Sequence, residues 1–345
     1  LEQQEPTPMT VTRRLTGVAA DPVFPATDRV PHALIVAGPT ASGKSALALA
    51  IAEQFRGTII NADSMQVYRE LRILTARPTL DDEARVPHRL YGVRSAAAAG
   101  SVAWWRDEAL AAMNEASAAG RLPILTGGSG MYLATHTDGL AAIPDPGPNA
   151  RAEARRLLAE GGPAALHASL AHVDPATAAR LKPEDSQRIA RAWEVWRGTG
   201  MGLAAWQNRR SAPAPWRFRA ILLDPPRDVL RAAIATRFEA MLRNGALGEV
   251  RDLLALKLDP SLPAMRAHGV PELSAYLAGS LSLQEAGRRT ELVTGQYTKR
   301  QATWFRHHAL APQTRVFSIS AQSTSRTQFS ERERDNLFTF IENQG

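Results

Sequence analysis

The octet GPTASGKS, residues 38 to 45, constrains this chain more than any other feature. Gly, four variable residues, then Gly-Lys-Ser is the spacing with which a backbone wraps its amides around phosphate. The apolar run HALIVAG (32 to 38) leads into it, and SALALAIAEQF (45 to 55), with Ala and Leu at helical spacing, leads out. The local order is therefore strand, glycine loop, helix. Gly38 and Gly43 permit the tight turn and the close approach of backbone to ligand. The amides of residues 41 to 45 point at anionic oxygens, and the helix adds the positive end of its dipole. Lys44 supplies a mobile cation and Ser45 a hydroxyl for Mg2+. On these residues alone the default occupant is a nucleotide, and the default enzyme an ATP-dependent kinase of small molecules. No Asn-Lys-x-Asp motif, with which GTPases choose their base, occurs in the chain.

Two further runs end on residues of chemical interest. GTIINAD (57 to 63) is a β-branched strand pattern closing on Asp63, and LPILTGG (122 to 128) closes on two glycines ahead of Ser129. In an open parallel α/β sheet, ligands bind in the crevice at the carboxyl ends of the strands, so the three tips should converge. An Asp beside a phosphate loop can coordinate magnesium or take a proton; a lone Asp after a strand can equally cap the next helix. Ser129 and the amides around it can donate hydrogen bonds at a second helix N-terminus, although many glycine loops after strands hold nothing.

Downstream, strand patterns give way from Pro144 to about Pro213 to helical segments: NARAEARRLLAEGG, PAALHASLAHV, PATAARL and SQRIARAWEVWRGTG. The expected architecture is a P-loop-type parallel α/β core (32–143 and 214–321) flanked by helices, with an inserted all-helical domain (144–213). WRFRAILLD (216 to 224) returns as a strand, RDVLRAAIATRFEAML follows as a long helix, and TRVFSIS (314 to 320) reads as a late edge strand. Residues 1–31 are expected to be a mobile tail and 322–345 a loosely held polar end. Trp104 and Trp304 read as core anchors rather than base-stacking platforms.

A net charge of +7, from 41 Lys and Arg against 34 Asp and Glu, favours an anionic partner such as nucleic acid or a phosphorylated metabolite. With no cysteine the chain has no disulfide, no thiolate zinc site and no cysteine nucleophile, which fits a cytoplasmic protein. No apolar run approaches the roughly 20 residues that span a bilayer, and the opening LEQQEPTPMTVTRRL lacks the apolar segment of a signal peptide. No membrane partner is expected.

Taken together, GPTASGKS, NADSMQVYREL (61 to 71), PHRLYG (87 to 92), GGSGMYL (127 to 133), DSQRIARAWEV (185 to 195), RAHGVPEL (266 to 273) and YTKRQATWFR (297 to 306) resemble, in order, the tRNA dimethylallyltransferases, also called tRNA isopentenyltransferases. The resemblance covers roughly residues 32 to 310. The phosphate loop is shared with many nucleotide enzymes; the ordered set is far more specific. The resemblance implies transfer of a dimethylallyl group from dimethylallyl pyrophosphate to N6 of the adenosine 3′-adjacent to the anticodon. It also implies a channel that the pyrophosphate enters from one mouth and the flipped adenine from the other, and a helical insertion that grips the anticodon stem-loop. No triphosphate is hydrolysed, and a monomer is expected.

Residue by residue, the resemblance implies that Gly38, Pro39, Thr40 and Ala41 hold the pyrophosphate together with Ser42, Gly43, Lys44 and Ser45, with Mg2+ held partly by Ser45 and Arg237 steadying the leaving group. Asp63 is the implied general base and adenine contact, and Ser129 the contact to the reacting region or flipped nucleotide. The segments implied to touch tRNA are Asp63, Ser64, Met65 and Gln66; Ser129 and Arg151; Gln187, Arg188, Ile189, Ala190 and Arg191; and Arg266, Ala267, His268, Gly269, Val270 and Pro271. The chain departs from the family at Thr294-Gly295-Gln296, where Thr-Arg-Gln is usual. The arginine's work is expected to pass to Lys299 or Arg300, and a glycine inside a helix costs about 1 kcal/mol relative to Ala. The cysteine-containing zinc finger of eukaryotic relatives has no counterpart here, so the resemblance is to the bacterial type.

Overall fold

The computed structural model describes residues 30–209, 211–320 and 331–342. Six parallel strands form its sheet: β1 (His32–Ala37), β2 (Gly57–Asn61), β3 (His88–Arg89), β4 (Leu122–Gly127), β5 (Arg217–Leu223) and β6 (Val316–Ile319), in the spatial order β3-β2-β4-β1-β5-β6. The near-continuous apolar runs read from β1 and β4 are what a parallel sheet covered on both faces requires. Alternation along β1 divides the core: Ile35 and Ala37 join Ile60, Leu125, Trp105 and Phe218 on one face, while Leu34 and Val36 join Ile51, Ile59, Ile124 and Ile221 on the other. The register pairs Ala37 with Gly127 and Asn61 with Thr126, so β1, β2 and β4 end together. From β1 the chain goes to β2 on one side, and β5 lies on the other; this reversal of strand order makes the crevice.

Thirteen α-helices accompany the sheet among the described residues. In the first half these are α1 (Lys44–Gln54), α2 (Leu80–Arg85), α3 (Val102–Ala118) and α4 (Gly130–Thr137). There follow α5 (Gly147–Val173), α6 (Pro175–Ala178), α7 (Ser186–Thr199) and α8 (Leu203–Gln207), before β5 returns to the sheet. The second half adds α9 (Arg227–Arg243), α10 (Ala246–Ala255), α11 (Val270–Leu277), α12 (Leu283–His307) and α13 (Glu331–Glu342). Between α4 and β5, Ala154, Leu166, Leu170, Ile189 and Ala192 form an apolar cluster separate from the two on the sheet. Asp174, buried, accepts from Thr177 N at 3.2 Å and Leu203 N at 3.0 Å, tying α6 to α8. The two helical segments expected over NARAEARRLLAEGG and PAALHASLAHV run on as α5, kinked at Gly162 (φ 72°, ψ 177°) ahead of Pro163, because proline removes a helix hydrogen bond.

One expectation is corrected by the fold. Within the supposedly loose end, residues 331–342 form α13, where Leu337 is 2% exposed and Phe338, Phe340 and Ile341 pack on the Leu34–Val36 face. Phe338 meets Phe55 edge-on at 5.3 Å, and the Arg219 guanidinium donates to Phe340 O. The charged run SERERD masks this stripe in the sequence. The tail expected over 1–31 lies outside the described residues apart from its last two, as do 321–330 and 343–345. The expectation for tryptophan holds, since Trp104 and Trp304 both pack against the core on the Ile35 face. Trp105 is the wholly buried anchor, stacked on Tyr132 at 4.4 Å. Trp104 is half-buried under the Arg94 guanidinium at 4.5 Å, and Trp304 is half-buried and stacked on His308.

Beside Trp105 lies His136, wholly buried, neither of whose ring nitrogens has a hydrogen-bond partner among the described residues. Burial, reinforced by the Arg106 charge, pushes its pKa down from 6.5 to about 4. The unfolded chain thus takes up this proton near pH 6.5 while the folded chain takes it up only near 4. Stability is therefore lost as pH falls below about 6.5, by about 3 kcal/mol in total once pH reaches 4. Denaturant unfolding at pH 7 and pH 5 should show wild type losing about 2 kcal/mol more over that interval than His136→Leu. Equal losses would mean that His136 is not the acid-sensitive group.

Candidate active site

The phosphate loop has the backbone that its glycines predict, with one addition. Gly43 sits at φ 87° ahead of α1, and Ala41 also takes a positive φ of 67°, a conformation that costs a non-glycine residue and clusters at functional loops. A Cβ on Gly38 would lie 2.7 Å from Leu223 O and 2.9 Å from Ser42 Oγ, so no larger residue fits. The Ser42 hydroxyl is buried and has no partner among the described residues, which leaves it available to an oxygen held in the loop. Lys44 donates from Nζ to Pro39 O at 3.2 Å. Burial lowers its pKa to about 8, a shift that Asp63 opposes and Arg237 reinforces.

Asp63 follows β2, and the next residues are turns rather than a helix, so the helix-cap reading fails. Its Oδ1 instead accepts from Met65 N at 2.9 Å. The residue is fixed by Asn61, wholly buried. Asp63 N donates to Asn61 Oδ1 at 2.8 Å, while Asn61 Nδ2 donates to Asp63 O and to Leu90 O, each at 3.0 Å. Trp105 donates its indole N–H to Asn61 O at 2.7 Å, connecting the core to this strand tip. Ser129 at the β4 tip accepts from Ser64 N at 3.0 Å and donates to Ser64 Oγ at 3.3 Å. It braces the Asp63 turn, and Ser64 rather than Ser129 faces the cavity.

That cavity, about 310 Å³, is lined on its polar side by Thr40, Asp63, Ser64, Thr75, Arg237, Thr294 and Tyr297. Arg237 donates to Thr75 O at 3.4 Å; burial lowers its pKa and Asp63 opposes the shift. Two cations and one carboxylate thus act on each other across this site, and the burial that lowers both cations' pKa also strengthens their interaction relative to bulk water. Met65, Arg266, Ala267 and His268 complete one wall. The His268 ring meets Tyr297 edge-on at 5.0 Å, and burial raises the Tyr297 phenol to about 12.

A second cavity, about 360 Å³, opens beyond the start of α1, lined by Ser45, Thr126, Arg77, Arg85, His88 and Tyr91. Ser45 is exposed there. No group of three or more His, Asp or Glu able to hold a metal occurs among the described residues. A cation bound here would take Ser45 together with ligand oxygens and water, a donor set that suits Mg2+.

Other expected contacts separate by burial. Ile189 is 0% exposed in the α5–α8 cluster and Val270 is 1% exposed, so both are corrected from contact residues to packing residues. Gly269, buried at φ 95°, starts α11, its amide donating to Glu272 Oε2 at 3.0 Å; Pro271 is exposed. Gln66 donates its amide to Thr75 O at 2.8 Å and Ala76 O at 3.0 Å, bracing the loop that Arg237 also holds. On the helices between α4 and β5, Arg151 pairs with Asp145 at 2.6 Å, Arg188 with Asp185 at 3.4 Å and Arg191 with Glu194 at 3.2 Å. Gln187 is exposed and Ala190 half-buried, and none of these residues lines the cavity. A Cβ on Gly295 would meet nothing within 4 Å. Of the two neighbours expected to cover for it, Arg300 has its guanidinium 5.5 Å from the Tyr297 ring.

Gln301, which lies within the motif YTKRQATWFR, is given no role by the sequence alone. It is buried on α12, accepts from Thr40 N at 2.8 Å and donates to Gly128 O at 2.9 Å, clamping the phosphate loop to the β4 tip. The available signal was the helical row Thr290, Thr294, Thr298, Gln301, a polar stripe on one face that needs buried partners. Gln301→Leu should lower unfolding free energy by about 2 kcal/mol, read by urea titration; an unchanged midpoint would show that the clamp carries no weight.

Residues 66–308 match the IPP transferase family. The chain is 62% identical over 311 residues to the tRNA dimethylallyltransferase of Granulibacter bethesdensis, covering 90% of this chain and 98% of that protein. It is 61% identical over 309 residues to the tRNA dimethylallyltransferase of Acidiphilium cryptum, covering 89% and 94%. Among solved structures, the full-length tRNA isopentenylpyrophosphate transferase of Bacillus halodurans superposes with a TM-score of 0.63 at 30% identity, covering 91% of this chain and 96% of that one. A eukaryotic dimethylallyltransferase crystallised acting on tRNA shares the fold, with a TM-score of 0.75 at 24% identity over 91% of this chain and 80% of that one.

Proposed function

This chain belongs to the IPP transferase family, and on that premise we propose that it transfers a dimethylallyl group from dimethylallyl pyrophosphate to N6 of the adenosine 3′-adjacent to the anticodon of tRNA. The observation that carries the reading is the shared cavity in which Thr40 of the phosphate loop, Asp63 and Arg237 face one another, with Lys44 close enough to Asp63 and Arg237 to feel both charges. An exocyclic aromatic amine is a weak nucleophile, so the barrier is lowered mainly where charge develops, on the departing pyrophosphate. The C1–O bond breaks, pyrophosphate leaves with the electron pair, the N6–C1 bond forms, and the N6 proton passes to the Asp63 carboxylate. Lys44, Arg237 and the loop amides hold the leaving group. Mg2+ held by Ser45 would supply further charge neutralisation there when bound. Adenine must leave its stack to enter, a cost that is smallest in a single-stranded loop.

The helices between α4 and β5 supply the grip on the anticodon stem-loop, through arginines such as Arg151, Arg188 and Arg191 acting on phosphates. Their present carboxylate partners are surface pairs of small net worth and exchange readily for phosphate. Arg266 and His268 at the cavity wall receive the nucleotides next to the flipped base.

Incubation of the purified chain with labelled dimethylallyl pyrophosphate, Mg2+ and unmodified tRNA tests the proposal. Label should enter tRNAs with adenosine 3′ of the anticodon. Folded protein that leaves such tRNA unlabelled, while turning over ATP with a small acceptor, would establish the kinase reading instead.

A further inference from the structure

Beyond the polar residues, the cavity has an apolar end that the reaction scheme leaves without a role. Ile234, Phe238 and Met241 of α9 line it together with Leu74. On α9 these stand at i, i+4 and i+7, with Arg237 at i+3, so one helix face carries both the cation for the pyrophosphate and an apolar wall beside it. Ile234 and Phe238 are buried even with the cavity empty, and a Cβ on Gly287 of α12 would lie 3.3 Å from the Phe238 ring. The ring is therefore backed by helix and has no room to retreat.

We propose that Phe238, with Ile234, Met241 and Leu74, forms a fixed end wall that sets the length of the prenyl chain at five carbons. This rests on the prenyl-transfer reading and adds to it the means of choosing among prenyl pyrophosphates. The hydrophobic effect alone cannot make that choice, because each further buried methylene strengthens binding. An apolar pocket without a stop would prefer a ten-carbon chain, so discrimination has to be steric. The cavity, at about 310 Å³, lies at the small end of small-molecule sites and must also admit adenine. The bond changes are the same for either chain: C1–O breaks, N6–C1 forms, pyrophosphate carries off the electron pair, and the proton goes to Asp63.

The test compares dimethylallyl and geranyl pyrophosphates as donors to unmodified tRNA, for wild type, Phe238→Ala and the milder Phe238→Leu. Wild type should use the five-carbon donor, and either variant should raise the ten-carbon to five-carbon ratio of kcat/KM by about tenfold or more. A merely structural defect would depress both donors together and leave that ratio unchanged. An unchanged ratio in a variant that still transfers five carbons overturns the proposal, as does a wild type that uses both donors equally. Competition on the wild-type protein decides the matter even if both variants fail to fold. Geranyl pyrophosphate should displace labelled dimethylallyl pyrophosphate less well than the unlabelled five-carbon compound, and equal or tighter binding sinks the wall. If folded wild type transfers neither chain, the proposed function falls and the wall with it.

Discussion

Asp63→Asn should lower the rate of prenyl transfer about 100- to 10,000-fold, the range for loss of a positioned general base, while leaving dimethylallyl pyrophosphate affinity largely intact. The separation is expected because Asn61 fixes Asp63 through its backbone N–H and carbonyl, so the substitution removes the proton acceptor without unmooring the turn. Met65 N can keep a partner, since an amide oxygen replaces Oδ1 as acceptor. Single-turnover transfer and equilibrium binding of the pyrophosphate are the two measurements. A variant that loses binding and keeps its rate would make Asp63 a metal ligand rather than a base.

Lys44→Ala should cost about 100- to 1,000-fold in kcat/KM for dimethylallyl pyrophosphate, the scale for removing one preorganised stabiliser of a developing anion. Its effect also has a pH signature. Burial brings the free enzyme's Lys44 pKa down to about 8, so raising pH through 8 removes the charge and should raise KM for the pyrophosphate over that range. Lys44→Arg, whose guanidinium stays protonated, should lack that rise even if its rate is lower. A wild-type KM flat from pH 7 to 9 would place the cation elsewhere, with Arg237 the next candidate.

What could be read without coordinates follows from local rules. The phosphate loop, the three strand tips and the helical stretch between Pro144 and Pro213 each carry their signal in consecutive residues: glycines where the backbone must turn, β-branched runs, and helical periodicity. Ser45, Lys44 and Asp63 were legible because loop and strand end name them. Asn61, Tyr297 and Gln301 were not. Each works through a partner at a distance along the chain or in a buried turn, as Gln301 does with Thr40, 261 residues away, and periodicity contains no such pairing. Ile189 and Val270 were misread for the converse reason: a motif names a segment, and only burial tells which side chains of the segment face outward. The docking of α13 was hidden because its charged first turn dominates the composition of the last residues.

The amino-acid sequence alone determined that this chain carries a phosphate-loop motif between a strand and a helix and, by its ordered motifs, which family it resembles. Backbone conformation at glycine and strand periodicity are local, so they need no tertiary knowledge. Only the tertiary structure decided that Asp63 and Arg237 share one cavity with Lys44 close enough to feel both, that Ser45 opens on another, and that Phe238 lines the first. Proximity between groups far apart in the chain is set by sheet order and helix packing, and no local rule encodes it.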